Sequence, residues 1–149
     1  MVTESTFGNV EGRLAHAYLL DGGEGLSLRV TDYGARLVSL WVPGRDGHAE
    51  DIVLGFDDAQ SYARSPAYFG ATVGRYGNRI ARGQFTLQGR EYRVDCNEGG
   101  NHLHGGQHGW DSRVWEADAG EESVTFRTRS APGEMGFPGG CEVTSTYTL

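Results

Sequence analysis

The sequence predicts an all-β protein, and three observations support this class. Apolar residues recur with a period of two or in short β-branched runs, and few segments show helical spacing. Glycine accounts for 24 of the 149 residues without a fixed period. This pattern is typical of tight turns between strands and excludes collagen-like and repeat architectures. No break in composition marks a linker, so we expect residues 1–149 to belong to one domain.

Predicted strands follow one another along the chain, separated by glycine-rich or polar turns. One brief helix is expected at 57–64. A β-hairpin is expected where two short runs flank a turn with Gly89 at the position that favours positive φ. The strands are expected at 26–30, 36–42, 51–54, 84–87, 91–94, 114–117, 123–128 and 142–149. Because the last of these reaches the final residue with no turn after it, we expect the sequence to be cut off inside a longer protein.

Charge and cysteine content restrict the function classes. The formal net charge of −7 disfavours binding to nucleic acid or to anionic membranes, but it is compatible with a neutral ligand such as a sugar. Cys96 and Cys141 form neither a CxxC pair nor a zinc-binding pattern, which favours two free thiols in a reducing compartment. Residues 1–11 do not resemble a signal peptide, and no segment reaches membrane-spanning length. We therefore expect a soluble, cytoplasmic protein.

Three histidines form the first candidate site. His102, His104 and His108 lie in one short stretch, with Gly-Gly pairs at 99–100 and 105–106 that would let backbone approach a ligand closely. In a strand, His102 and His104 would point to the same face. The residues alone leave open a second interpretation, in which all three are solvent-facing loop histidines.

A second candidate site lies at 70–80, where arginine and asparagine are set among small residues. The guanidinium groups of Arg75 and Arg79 and the amide of Asn78 offer several donors in fixed geometry, which suits vicinal hydroxyls. A salt-bridged structural turn would use the same residues. Aromatic residues near both candidate sites would serve either as a stacking surface for a sugar or as core: Tyr68, Phe69, Tyr76, Trp110 and Trp115.

Three ordered motifs carry a family resemblance. The first is Gly-Arg-Tyr-Gly-Asn-Arg-Ile at 74–80, followed by the hairpin. The second is Asn-His-Leu-His-Gly-Gly at 101–106, followed by matching residues at 109–111 and 114–115. The third comprises residues 133–139 and 146–149. Together they resemble the aldose 1-epimerase (galactose mutarotase) family across nearly the whole chain. The resemblance implies a galactose-mutarotase-like β-sandwich, of which residues 1–149 would be the N-terminal portion. It also implies interconversion of the α and β anomers of free hexoses such as galactose and glucose by acid/base ring opening, without a cofactor or a metal.

The resemblance assigns functions to three residues. His104 matches the histidine of the Leu-His-Gly-Gly motif and would be catalytic, donating a hydrogen bond to the sugar and polarising its ring oxygen. Asn78 and Arg79 match the hydroxyl-binding pair, so the expected substrate-binding residues are Asn78, Arg79 and His104. His102 lies where the motif varies and is given no catalytic function. The family's acid histidine, sugar-binding aspartate and basic glutamate lie beyond Leu149, so we expect this chain alone to be inactive or nearly so, unless a missing C-terminal half or a dimer partner supplies them.

Three alternatives follow from the same residues. A cupin-like metal-binding barrel would use His102, His104 and His108, with Glu116 beyond them. A non-catalytic carbohydrate-binding module would keep the fold without the reaction. A phosphosugar epimerase would need basic residues at the sugar's C6 end, for which Arg75 or Arg82 would be the candidates.

Overall fold

Five antiparallel strands form the larger sheet of the computed structural model, which describes residues 1–149. Their order in the sheet follows their order in the chain. Each strand pairs with the next through a short connection, which is the pattern of a β-meander. The strands are β1 (Val2–Val10), β2 (Arg13–Gly23), β3 (Leu26–Thr31), β4 (Arg36–Pro43) and β5 (Ala49–Asp51).

Three further sheets follow in the second half of the chain. Two of them contain only two strands each: β6 (Arg79–Ile80) pairs with β9 (His102–Leu103), and β7 (Gln84–Leu87) pairs with β8 (Arg90–Arg93). The third contains β10 (Glu116–Ala119), β11 (Ser123–Ser130) and β12 (Cys141–Thr148), all antiparallel.

The main core lies between the five-stranded and the three-stranded sheets. Alternate residues of β2, β3 and β11 point inward, as the period-two pattern predicts. The Tyr147 hydroxyl on β12 donates to the carbonyl oxygen of Ala35 over 2.9 Å, which joins the two layers. The buried members of this core are Tyr18, Leu20, Leu28, Val30, Ala35, Trp115, Val124 and Phe126.

A single turn-and-a-half of α-helix, α1 (Ala59–Arg64), covers a second apolar cluster on the larger sheet. The Asp58 carboxylate accepts a hydrogen bond from the Ser61 N–H over 2.7 Å and caps the helix, and this bond lowers the pKa of Asp58. Ala59 and Tyr62, three residues apart, are its buried face. No helix in the structure is long and apolar enough to cross a membrane.

Most predicted strands agree with the structure to within two residues, but two are displaced and four were missed. The strand expected at 51–54 is wrong, because the Asp51 carboxylate accepts the N–H groups of Leu40 and Val53 and the ladder ends there. The strand expected at 114–117 begins at Glu116, since Val114 forms an isolated bridge to Tyr33 in the turn between β3 and β4. The four missed strands are β1, β2 and the two-residue strands β6 and β9.

Candidate active site

The two-residue ladder between β6 and β9 brings both candidate sites together. Its register pairs Arg79 with Leu103 and Ile80 with His102, so the residues just outside the ladder, Asn78 and His104, become neighbours. The Asn78 N–H donates to Nδ1 of His104 over 2.9 Å, and the His104 N–H donates to the Asn78 carbonyl oxygen over 3.2 Å. The structure thus places all three predicted substrate-binding residues side by side.

Backbone conformation separates the two histidines of the motif. His104 has φ +49° and Asn78 has φ +71°, so the chain turns out of the strand at both positions. His102 points inward and is 0% exposed, whereas His104 is half-buried at the surface. The expectation that the two histidines share a face is therefore wrong, because β9 ends at Leu103.

The tautomer of His104 follows from its contact with Asn78. A backbone N–H can only donate, so Nδ1 accepts, and the neutral imidazole carries its proton on Nε2. The Nε2–H group is then available as a donor to a ligand. The Tyr68 ring lies 4.6 Å from the imidazole centroid at an interplanar angle of 54° and restricts rotation of the imidazole. Burial, with the nearby Asp111 charge, raises the pKa of Tyr68, so this neighbour stays neutral at physiological pH.

His102 holds the turn that carries His104. Its Nδ1–H donates to the Asp95 carbonyl oxygen over 2.8 Å, and its Nε2 accepts the Gly105 N–H over 3.1 Å. The Asp95 carboxylate accepts the N–H of Gln107 over 2.6 Å. Both ring nitrogens of His102 are thus used inside the protein, which leaves neither for a substrate.

Arg79 makes a bidentate ion pair with Glu98, a residue that lies outside the three sequence motifs. The distances are 3.0 Å from Nε to Oε2 and 2.8 Å from Nη2 to Oε1. This hydrogen bonding raises the pKa of Arg79 and lowers that of Glu98. The Asn78 side-chain oxygen accepts the Arg79 N–H over 2.9 Å, so the amide group of Asn78 is free to donate elsewhere. The only sequence signal for Glu98 was its position before the Gly-Gly pair at 99–100.

The Arg75 side chain uses all its hydrogen-bond donors within the protein. Its five N–H groups donate to the Ser130 hydroxyl and to the carbonyl oxygens of Ser130, Ala131, Pro138 and Gly139, over 2.7–3.0 Å. This removes one of the two cations on which the phosphosugar alternative depends. The other, Arg82, is exposed, and its backbone N–H is held by the Asn101 side chain.

An apolar groove of about 570 Å³ lies beside the site. Arg79 forms part of its wall, whereas Asn78 and His104 lie outside its lining. The other lining residues are Arg75, Tyr76, Ile80, Phe85, Leu87, Phe137 and Pro138.

The three histidines do not form the metal-ligand cluster that the cupin-like alternative requires. No three histidine, cysteine or carboxylate side chains converge anywhere in the structure. The nitrogens of His102 are both hydrogen-bonded within the protein, and Nδ1 of His104 is turned toward Asn78.

Comparison with known proteins gives this geometry a context. A family model described as aldose 1-epimerase matches residues 16–149. The chain belongs to this family. The galactose mutarotase of Bos taurus is 44% identical over 124 residues, which cover 83% of the chain and 36% of that protein. The aldose 1-epimerase of Haemophilus influenzae is 38% identical over 150 aligned positions, covering 100% of the chain and 43% of that protein.

Solved structures give the same result for the fold of this epimerase-family chain. The GalM/aldose epimerase homologue from C. elegans superposes with a TM-score of 0.82 at 35% identity, covering 88% of the chain and 41% of that structure. The galactose 1-epimerase from Lactobacillus acidophilus superposes with a TM-score of 0.83 at 25% identity, covering 100% of the chain and 44% of that structure. The predicted galactose-mutarotase-like β fold is therefore confirmed. The chain spans less than half the length of the relatives that it matches.

Proposed function

We propose that residues 1–149 are the N-terminal part of a single aldose 1-epimerase β-sandwich domain that interconverts the α and β anomers of free hexoses such as galactose and glucose. The observation that carries this proposal is the donor group at His104. Its Nε2–H is fixed by Asn78 and stands beside the side chains of Asn78 and Arg79, which we assign to hydroxyl binding.

Anomer exchange needs ring opening, rotation about the C1–C2 bond and ring closure. The ring oxygen must gain a proton and the anomeric hydroxyl must lose one, so the reaction needs a general acid and a general base. In our proposal His104 donates its Nε2–H to the sugar and stabilises charge that develops on the ring oxygen. The amide of Asn78 and the free Nη1 edge of Arg79 donate to hydroxyl groups and fix the orientation of the ring.

The proposed site in this chain is rich in donors and is completed from outside it. Arg79 forms an ion pair with Glu98, so Glu98 is held as an ion-pair partner rather than as a base. We propose that the acid and base come from a C-terminal half of the same fold or from a partner subunit. The chain alone would then bind sugar and turn it over slowly or not at all.

Polarimetry of freshly dissolved α-galactose tests the activity directly. The chain alone should leave the rate of mutarotation close to that in buffer, and addition of the remaining half of the fold should accelerate it. Mutarotation at a family-like rate by residues 1–149 alone would contradict the division of the site. Failure of the combined halves to accelerate mutarotation would contradict the proposed activity.

A carbohydrate-binding module without catalysis is the second candidate, and the preponderance of donors at the site favours it. Retained galactose binding, seen by calorimetry, with no mutarotation after the halves are combined would select this function. Location in the cytoplasm also remains a proposal, supported by the free thiols of Cys96 and Cys141.

A further inference from the structure

We infer that Glu98 is a positioning residue for Arg79, holding the guanidinium so that its Nη1 edge faces a bound sugar. This inference deepens the proposed function and rests on it. Glu98 takes two of the five guanidinium N–H groups, on Nε and Nη2. The Nη1 group makes no hydrogen bond within the chain, so its two donors are free to meet vicinal hydroxyls.

The turn at 98–101 fixes where the Glu98 carboxylate points. Glu98 and Asn101 exchange two backbone hydrogen bonds, of 3.0 and 2.8 Å. Gly99 and Gly100 between them have φ of +54° and +83°, which is the conformation of a tight two-residue hairpin turn. This use of the two glycines differs from the close approach to a ligand that the sequence suggested.

The β6–β9 ladder anchors both partners of the Arg79–Glu98 ion pair. The Asn97 side chain donates to the Leu103 carbonyl oxygen over 2.9 Å and accepts the Leu103 N–H over 2.7 Å, which ties the Glu98 turn to β9. Leu103 is in turn the ladder partner of Arg79 on β6. Glu98 and Arg79 are therefore held at a fixed separation before any ligand arrives.

Exposure of this ion pair argues for a function in binding rather than in stability. The side chain of Arg79 is 53% exposed and that of Glu98 39%, and pairs of this kind contribute little to folding. Immobilising a long arginine side chain in advance removes part of the entropy cost of binding. Glu98 also cancels the charge of Arg79, which suits a neutral hexose.

The chain contains a matched control pair. Glu91 and Arg93 form an exposed ion pair of 3.1 Å on β8, away from Asn78 and His104. Glu98→Gln and Glu91→Gln make the same change in charge, and both side chains are solvent-accessible, at 39% and 58% exposure, so both variants should fold. The two readouts are a galactose titration followed through the His104 ring signals and the solvent exchange of the Arg79 Nε–H by NMR, with Arg79→Lys used to assign that signal.

We expect Glu98→Gln to weaken galactose binding about three- to tenfold and to speed solvent exchange of the Arg79 Nε–H. Glu91→Gln should match the native chain in galactose affinity and in exchange rate. If the native chain binds galactose and Glu98→Gln binds it equally well, the inference is overturned and the proposed function is not. A native chain whose His104 signals do not respond to galactose would overturn the proposed sugar site and this inference with it. Equal weakening by both variants would show a general charge effect and also overturn the inference.

Discussion

Asn78 and His104 lie 26 positions apart in sequence and hold each other through two hydrogen bonds, one of them from the Asn78 N–H to His104 Nδ1 over 2.9 Å. This single contact selects the nitrogen of His104 that can meet a ligand. A histidine that only packed against Tyr68 would be free to present either nitrogen. The backbone of one predicted binding residue thus sets the chemistry of the other.

Replacement of His104 by alanine should reduce galactose affinity about tenfold or more, because the fixed Nε2–H donor is lost. The change should be measured by calorimetry on the chain. His108→Ala is the matched control, since His108 is exposed and only its backbone carbonyl bonds to the protein. Equal affinity for native and His104→Ala proteins would remove His104 from the proposed site. The nitrogen chemical shifts of the native His104 ring should also show the proton on Nε2.

Replacement of His102 by alanine should lower the free energy of unfolding by about 3–5 kcal/mol. The change opens a cavity at a position that is 0% exposed and leaves the Gly105 N–H and the Asp95 carbonyl oxygen without partners. Urea unfolding measures the loss, with the exposed His48→Ala as control. A loss of less than about 1 kcal/mol would show that the His102 bonds do not hold the turn.

Replacement of Gly105 by alanine should be far more costly than replacement of Gly89. Gly105 has φ +100°, and a Cβ there would collide with the Gly74 carbonyl oxygen, whereas Gly89 has φ +77° and open space around it. We expect about 1–2 kcal/mol for Gly89→Ala from backbone strain alone, and about 3 kcal/mol or more for Gly105→Ala. Thermal unfolding of the two variants measures the difference. Equal costs would mean that the loop after His104 shifts freely.

Replacement of Tyr18 by phenylalanine should make the protein less sensitive to alkali. Burial, with the charges of Asp32 and Glu4, raises the pKa of Tyr18 to about 12 from its ordinary value of 10.0. A folded-state pKa above the unfolded value contributes stability that is present below pH 10.0 and lost as pH rises through about 12. That contribution is on the order of 1–3 kcal/mol for this buried residue.

Urea unfolding of native and Tyr18→Phe proteins across this alkaline range measures the effect. The native protein should lose more stability than the variant between neutral pH and pH 12. Parallel pH profiles would show that Tyr18 ionises in the folded state as readily as in the unfolded chain.

The extent to which sequence predicted this structure varies with the element. The hairpin of β7 and β8 was placed to within one residue, because its turn chemistry and its alternation are both local. Strand β1 was missed because it is mostly polar: among Val2–Val10 only Phe7 is buried, and this edge strand owes its place to pairing with β2.

Motif resemblance identified the candidate site residues, but it could not supply their contacts. Asn78, Arg79 and His104 were identified from their motifs, and the structure brings them together. Glu98 was missed because its importance arises only when the turn at 98–101 meets β6, 19 positions earlier in the chain. His102 resembled a second surface histidine until the end of β9 at Leu103 was known. The functions of Glu98 and His102 depend on contacts between distant segments, which no local sequence pattern predicts.

The β6–β9 ladder also has a consequence for how this family can diversify. The ladder joins only Arg79–Ile80 to His102–Leu103, and the whole β7–β8 hairpin lies within the connection between these two strands. The hairpin tip at Gln88 and Gly89 is exposed, and a side chain at Gly89 would meet no other atom within 4 Å. Residues can therefore be inserted at this tip without changing the separation of Asn78 and His104. The tip is a natural point for grafting a peptide or a fluorescent reporter that leaves the donors of the proposed site in register.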